Sequence, residues 1–237
     1  MKCPSCGNQS LIEHGQDLIC EFCRTVVFNP QPVEVVEANT EVIESQPITP
    51  SIKQDWQITF NSVLTIKNED HVGTGFVLNE SGWVLTNYHV VNEAEVVYGQ
   101  FDDSDINYPL YPIHWGDEDL DLCLLQIDSN NSFVPIAWCK EPPSLGDEVV
   151  TIGNPHGIGL SMSKGVISRL DDENNLQLNM QLNPGNSGGP VLNQQRELLG
   201  IVSYLIKEIS AMSFAIGMEQ IEDFINDFEG EEDHVWE

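Results

Sequence analysis

Short apolar runs recur from Asp55 to about Phe228. They include Val63-Leu64-Thr65-Ile66, Gly75-Phe76-Val77-Leu78, Trp83-Val84-Leu85-Thr86 and Glu95-Val96-Val97-Tyr98. Further along come Leu122 to Ile127, Val149 to Ile152, Lys164 to Leu170, Leu176 to Leu182, Leu198 to Ser203 and Ser213 to Ile216. Turn-forming residues separate them, at Ser81-Gly82, Asp102-Asp103, Asp171-Asp172 and Asn193-Gln194. Many short strands in this rhythm, with almost no helical period, predict an all-β barrel or sandwich. The exception is the spacing of Ile221, Phe224, Ile225 and Phe228, which predicts a short amphipathic helix packed on the β structure. Residues 229–237 form an acidic tail.

The first 54 residues are different. Residues 1–30 carry two Cys pairs. Residues 31–54 carry Pro32, Pro47 and Pro50 with Glu34, Glu37, Glu41 and Glu44, the composition of an extended linker. A strand around Val35-Val36 is the alternative reading of that stretch. The β-rich part, residues 55–228, is the main domain.

Composition narrows the partners. The chain has 237 residues, 41 % of them hydrophobic, enough for one sizeable core. Nine Lys plus Arg stand against 38 Asp plus Glu, a formal net charge of -29. Such a field repels phosphate, and the lysines are scattered singly, so neither nucleic acid nor anionic membrane is an expected partner. The N-terminus shows no apolar stretch of signal-peptide length and no run is long enough to span a bilayer, which reads as a soluble, cytoplasmic protein. Cys123 and Cys139 lie in apolar segments and read as buried free thiols, with a disulfide between them as the weaker alternative.

The stretch richest in chemistry is Asn183-Pro184-Gly185-Asn186-Ser187-Gly188-Gly189-Pro190. A nucleophilic serine needs a tight turn, with backbone N–H groups aimed at a developing oxyanion, and flanking glycines permit both. An ordinary hairpin turn is the competing reading. Upstream, Thr86-Asn87-Tyr88-His89-Val90-Val91 sets a histidine at the end of an apolar strand, and histidine is the usual base for an activated serine. A carboxylate should orient it. Asp121 directly precedes the apolar run Leu122-Cys123-Leu124-Leu125 and is the first choice, with Asp119 second; Asp117 and Glu118 read as a solvated turn.

These segments resemble the HtrA (Deg) branch of the chymotrypsin-fold serine proteases. Gly73-Thr74-Gly75-Phe76-Val77 is similar to that family's Gly-x-Gly-Phe segment, Leu85 to Val91 to its histidine motif and Asp121 to Leu125 to its aspartate strand. Gly153-Asn154-Pro155, Gly185 to Gly189 and Phe214-Ala215-Ile216 are similar to its second-barrel entry, nucleophile turn and last strand. The resemblance implies two six-stranded antiparallel β-barrels with a short C-terminal helix, and a serine endopeptidase acting on protein or peptide substrates. The implied roles are Ser187 as nucleophile, His89 as general base and Asp121 as its orienting carboxylate. The implied oxyanion hole uses the N–H groups of Gly185, Asn186 and Ser187, with Gly185 and Ser187 as principal donors. No cofactor is needed for that chemistry. A homo-oligomer is also implied. The alternative from another class is a catalytically inactive domain that binds peptides or acts as a scaffold.

The sequence departs from the family where Asn179-Met180 replaces the usual Thr-Asp pair and Gln181 a position commonly small. Gln181, Leu182 and Ile201 are the expected substrate-pocket residues, suited to a small or medium aliphatic side chain. With so few residues after Phe228, the PDZ domain common in the family is not expected. At the N-terminus, Cys3-x2-Cys6 and Cys20-x2-Cys23 have the spacing of a four-thiolate zinc site and resemble a zinc ribbon, in which the metal would supply most of the folding free energy. A redox pair or disulfides are the competing readings. With Lys2 and Arg24 set against Glu13, Asp17 and Glu21, a protein is the expected ribbon partner.

Overall fold

The computed structural model describes residues 2, 9–14, 17–21, 26–27, 52–68, 71–91, 94–116, 120–203 and 213–232. The chain divides into two compact units, Met1–Thr49 and Pro50–Glu237. In the first, β1 (Leu11–His14) and β2 (Asp17–Cys20) form an antiparallel hairpin with Leu11 opposite Cys20. β3 (Val26–Val27) pairs with β2 on its other side. Cys20 is buried at the end of β2. Cys3, Cys6 and Cys23, and all of the expected linker up to residue 51, lie outside the described residues.

The second unit opens with α1 (Ile52–Phe60). The pattern Trp56-Gln57-Ile58-Thr59-Phe60 alternates like a strand, and the sequence reading placed this stretch among β segments. As a helix it turns Trp56 and Phe60, four residues apart, onto the core, while Ile58 is 57 % exposed. The helix begins at Ile52, inside the stretch that composition reads as linker.

The first barrel follows: β4 (Val63–Lys67), β5 (Val72–Val77), β6 (Trp83–Thr86), the one-turn α2 (Tyr88–Val91), β7 (Val97–Phe101), β8 (Tyr108–Trp115) and β9 (Cys123–Ile127). Its strands close in the order β4-β5-β6-β9-β8-β7. The second barrel contains β10 (Glu148–Gly153), β11 (Ser161–Leu170), β12 (Leu176–Leu178), β13 (Pro190–Leu192), β14 (Leu198–Ser203) and β15 (Ser213–Gly217). It closes in the order β10-β11-β12-β15-β14-β13, and α3 (Met218–Glu232) ends the described chain. Every strand pair in both barrels is antiparallel. Six strands per barrel and a closing helix agree with the expected all-β architecture. β8 escaped the sequence reading because Pro109 and Pro112 interrupt it, and its register shifts between Pro112 and His114.

Each barrel has its own filling. Leu64, Ile66, Val84, Leu110 and Leu125 pack inside the first, and Val149, Ile167, Leu176, Val191 and Val202 inside the second. A third apolar cluster joins them. Val63, Phe76, Leu85, Leu122 and Leu124 of the first barrel meet Ile152, Leu192, Leu198 and Ile216 of the second, and Ile221, Phe224 and Phe228 of α3 complete the cluster. Phe228 also meets Trp83 edge-on, with ring centroids 5.3 Å apart. The amphipathic helix is thus present and longer than its apolar spacing indicated. Phe76 is fully buried at this junction, so Phe76→Ala should destabilise the fold by about 3–5 kcal/mol, read as a lower urea midpoint at unchanged slope.

Cys123 lies in the first barrel's core and Cys139 packs against the second's, and both are free thiols. Burial pushes the Cys123 thiol far above the usual range, so it stays protonated. Cys139 is only half-buried, more exposed than its apolar surroundings in the sequence suggest. Among the described residues no helix is long and apolar enough to cross a membrane.

Candidate active site

The chain leaves β6 at Thr86 and turns at once into α2, which carries His89 at the edge of the first barrel. Opposite it, Asp121 stands two residues ahead of β9 with φ 54°, a left-handed conformation that aspartate tolerates better than most residues. Two donors hold that backbone in place: Asn87 Nδ2 at 3.0 Å and the Tyr88 N–H at 3.2 Å, both to the Asp121 carbonyl. The strained turn aims the carboxylate back at the helix. Asp121 Oδ1 accepts from the His89 backbone N–H at 3.1 Å, and His89 Nδ1 lies 2.9 Å from Oδ1 and 3.0 Å from Oδ2. Asp121 is 2 % exposed, whereas the His89 side chain is 35 % exposed. The imidazole therefore has its Nδ1 side fixed on a buried anion while the ring remains partly exposed. Asp119, Asp117 and Glu118 lie outside the described residues.

A fourth group was missed by the sequence reading. Ser203, the last residue of β14, donates its hydroxyl to Asp121 Oδ2 at 2.7 Å. It comes from the second barrel and lies 82 residues from Asp121. An ordinary serine at a strand end carries no local signal of such a role.

Ser187 sits on the turn before β13, where the second barrel faces the first. Gly185 and Gly188 on either side have φ 99° and 81°. A Cβ on Gly185 would strike the Asn154 carbonyl, and one on Gly188 the Thr74 carbonyl, so both positions require glycine. The hydrogen bonds of the turn decide which N–H groups remain available. The Asn186 N–H donates to the Asn183 carbonyl at 3.0 Å. Among the described residues the N–H groups of Gly185 and Ser187 have no acceptor. Of the three expected oxyanion donors, Gly185 and Ser187 can therefore serve, while Asn186 is occupied within the turn. Among the described residues no hydrogen bond joins the Ser187 hydroxyl to His89. Such contacts commonly shorten only when substrate arrives.

The three expected pocket residues differ in burial among the described residues. Ile201 is fully buried in the cluster between the barrels, and Leu182, 6 % exposed, fills the second barrel. Gln181 is exposed. Leu182 and Ile201 are thus packed in apolar clusters, and Gln181 is the exposed one of the three. Nearby, the Ser213 hydroxyl ties β15 to the Met180 carbonyl at 2.7 Å.

Two closed antiparallel barrels, with a histidine–aspartate pair on one and a glycine-flanked serine on the other, define the class of chymotrypsin-like folds. The sequence profile of the trypsin-like peptidase domain matches residues 73–201, more than half of the chain. The chain belongs to the trypsin-like peptidase family. It is 32 % identical over 166 residues to a probable periplasmic serine endoprotease, DegP-like, of Pseudomonas putida, covering 65 % of this chain and 34 % of that protein. It is 36 % identical over 141 residues to the periplasmic pH-dependent serine endoprotease DegQ of Escherichia coli, covering 55 % and 30 %. The chain thus spans about a third of the length of these relatives. Among solved structures, a serine endoprotease from Yersinia pestis superimposes with TM-score 0.68 at 28 % identity, over 76 % of this chain and 67 % of that one. These likenesses agree with the HtrA/Deg resemblance of the protease region.

The relatives also correct one expectation. The cytoplasmic placement drawn from the N-terminal residues and the cysteines is overturned, because the DegP-like and DegQ relatives are named as periplasmic proteins. Residue composition near one end of a chain is weak physical evidence for a compartment.

Proposed function

We propose that this chain is a serine endopeptidase that cleaves protein substrates through an acyl-enzyme. Ser187 attacks the scissile carbonyl as His89 takes the hydroxyl proton. The tetrahedral oxyanion settles against the N–H groups of Gly185 and Ser187. His89 then protonates the leaving amine, and water repeats the sequence on the acyl-enzyme. Asp121 keeps the Nδ1 proton facing itself and stabilises the imidazolium in both halves. The observation that carries this reading is the buried Asp121 carboxylate with both oxygens within 3.0 Å of His89 Nδ1, on the barrel facing a serine turn that has two unengaged N–H groups.

A fluorophosphonate probe tests it, since only an activated serine with a formed oxyanion hole reacts. Labelling of the wild type, lost in Ser187→Ala, is the expected result. A folded wild type that never labels would instead favour the inactive, peptide-binding alternative. The names of the relatives support a periplasmic setting for this activity.

For the N-terminal unit, the spacing of Cys3, Cys6, Cys20 and Cys23 supports a structural zinc ion, and the buried Cys20 at the end of a β-hairpin suits a thiolate ligand. The three other cysteines lie outside the described residues. About one zinc per chain is expected by metal analysis, with loss in Cys20→Ser; zinc-free protein with intact disulfides would overturn this. The ribbon's partner is proposed to be a protein.

A further inference from the structure

Behind the Ser187 turn, a buried polar chain crosses from one barrel to the other. Its centre is Thr74 of β5, which is fully buried. The Thr74 hydroxyl donates to the Gly185 carbonyl at 2.7 Å and accepts from the Asn154 N–H at 3.1 Å. The Thr74 N–H donates to the Ser187 carbonyl at 2.9 Å, and its carbonyl accepts from the Thr86 hydroxyl at 2.7 Å. Asn154 is held in turn, with Nδ2 donating to Thr65 Oγ1 at 2.8 Å and Oδ1 accepting from the Gly159 N–H at 2.8 Å.

The consequence is clearest peptide by peptide. In a trans peptide the C=O and N–H point in opposite directions, so fixing the oxygen aims the hydrogen. The Pro184 carbonyl accepts from the His156 N–H at 2.8 Å, which turns the Gly185 N–H the other way. The Asn186 carbonyl accepts from the Gly189 N–H at 3.0 Å, which does the same for the Ser187 N–H. Between these two donors lies the Gly185–Asn186 peptide. One side of it, the Asn186 N–H, is fixed within the turn on Asn183; the other, the Gly185 carbonyl, is fixed on Thr74, with the Asn154 N–H at 3.3 Å as a second, longer donor. This middle peptide links the two peptides that carry the donors, and Gly185 has a glycine's backbone freedom, so a loosened Gly185 carbonyl would relax the spacing and relative tilt of the two donors.

We propose that Thr74 is a positioning residue for the oxyanion hole: its hydroxyl, presented by the first barrel, clamps the Gly185 carbonyl and so presets the two donors carried by the second. This rests on the endopeptidase reading above and assigns a role in it to a residue that touches neither substrate nor nucleophile oxygen. It also makes the hole a product of barrel docking rather than of the turn alone.

The test compares Thr74→Val, which keeps the shape and removes the hydroxyl, with Thr74→Ser, which keeps the hydroxyl. Fluorophosphonate labelling and turnover of denatured casein are measured on proteins with wild-type circular dichroism. Thr74→Val should lower the labelling rate and kcat by about tenfold or more at nearly unchanged KM, because only the tetrahedral state uses the hole. Thr74→Ser should recover most of both rates, which a purely structural role for the methyl group would not predict. If Thr74→Val does not fold, Thr74→Ala removes the same hydroxyl and is held to the same outcomes. A folded hydroxyl-free variant that labels and turns over like wild type overturns the proposal, as does a Thr74→Ser no faster than it. Wild type that never labels overturns the endopeptidase reading itself, which separates the two failures.

Discussion

Ser187→Ala should lower kcat by about a millionfold, and His89→Ala by a similar amount, with the double variant hardly worse than either. The equality follows from the division of labour in the site. The serine hydroxyl is not a nucleophile at neutral pH without a base, and the imidazole has no proton to take without the hydroxyl, so removing either abolishes the same step. What remains is the stabilisation supplied by the Gly185 and Ser187 N–H groups, which both substitutions leave in place. Neither change should disturb the fold: alanine fits the Ser187 turn, and His89 is half-exposed on a one-turn helix. Single-turnover assays with a fluorogenic peptide derived from a mapped casein cleavage would measure it. Losses smaller than about a hundredfold, in variants free of wild-type contamination, would remove Ser187 and His89 from the chemistry.

Asp121→Asn is expected to cost about ten-thousandfold in kcat while binding changes little. The carboxylate accepts three donors at once: the His89 N–H, the His89 Nδ1–H and the Ser203 hydroxyl. An amide of the same shape has one accepting oxygen, and its nitrogen must face one of those donors. Where it faces Nδ1, the favoured tautomer carries its proton on the other ring nitrogen and can no longer accept from Ser187. In either orientation the negative charge that stabilises the imidazolium is gone. The measurement is kcat with KM on the same peptide, and nitrogen NMR of the histidine ring reports the tautomer directly. A loss below about tenfold would mean that another group orients His89.

Ser187, His89 and Asp121 stand out in the sequence for different reasons. Ser187 announces itself through its neighbours, because a turn with φ 99° at Gly185 and 81° at Gly188 can be written with few residue types. His89 and Asp121 were found by their positions at strand boundaries, where a chain crosses from barrel wall to cleft. Their supporting groups could not be found that way. Ser203 and Thr74 are common residue types on ordinary strands, and their partners, Asp121 and Gly185, are 82 and 111 positions distant. What composition leaves undecided has one physical root. An apolar residue near the nucleophile fits a pocket wall and a core equally well by composition, and composition alone does not reveal that Leu182 and Ile201 pack in apolar clusters. Trp56, Ile58 and Phe60 alternate as a strand would, and only the tertiary packing of Trp56 and Phe60 decides for a helix. The barrels emerged because their repeating turns and apolar segments are local; the prolines in β8 hid a strand for the same reason.

The apolar cluster between the barrels sets a schedule as well as a shape. Its first members, Val63 and Phe76, leave the ribosome early, whereas Ile221, Phe224 and Phe228 of α3 leave it more than 140 residues later. Until that helix emerges, the junction lacks three of its buried side chains and the barrels have no complete surface on which to dock. The two halves of the site lie on different barrels, so the completeness of this junction bears directly on how His89 and Ser187 face each other. On the endopeptidase reading, a chain that stops short of α3 is expected to have an incomplete junction between the two halves of its site.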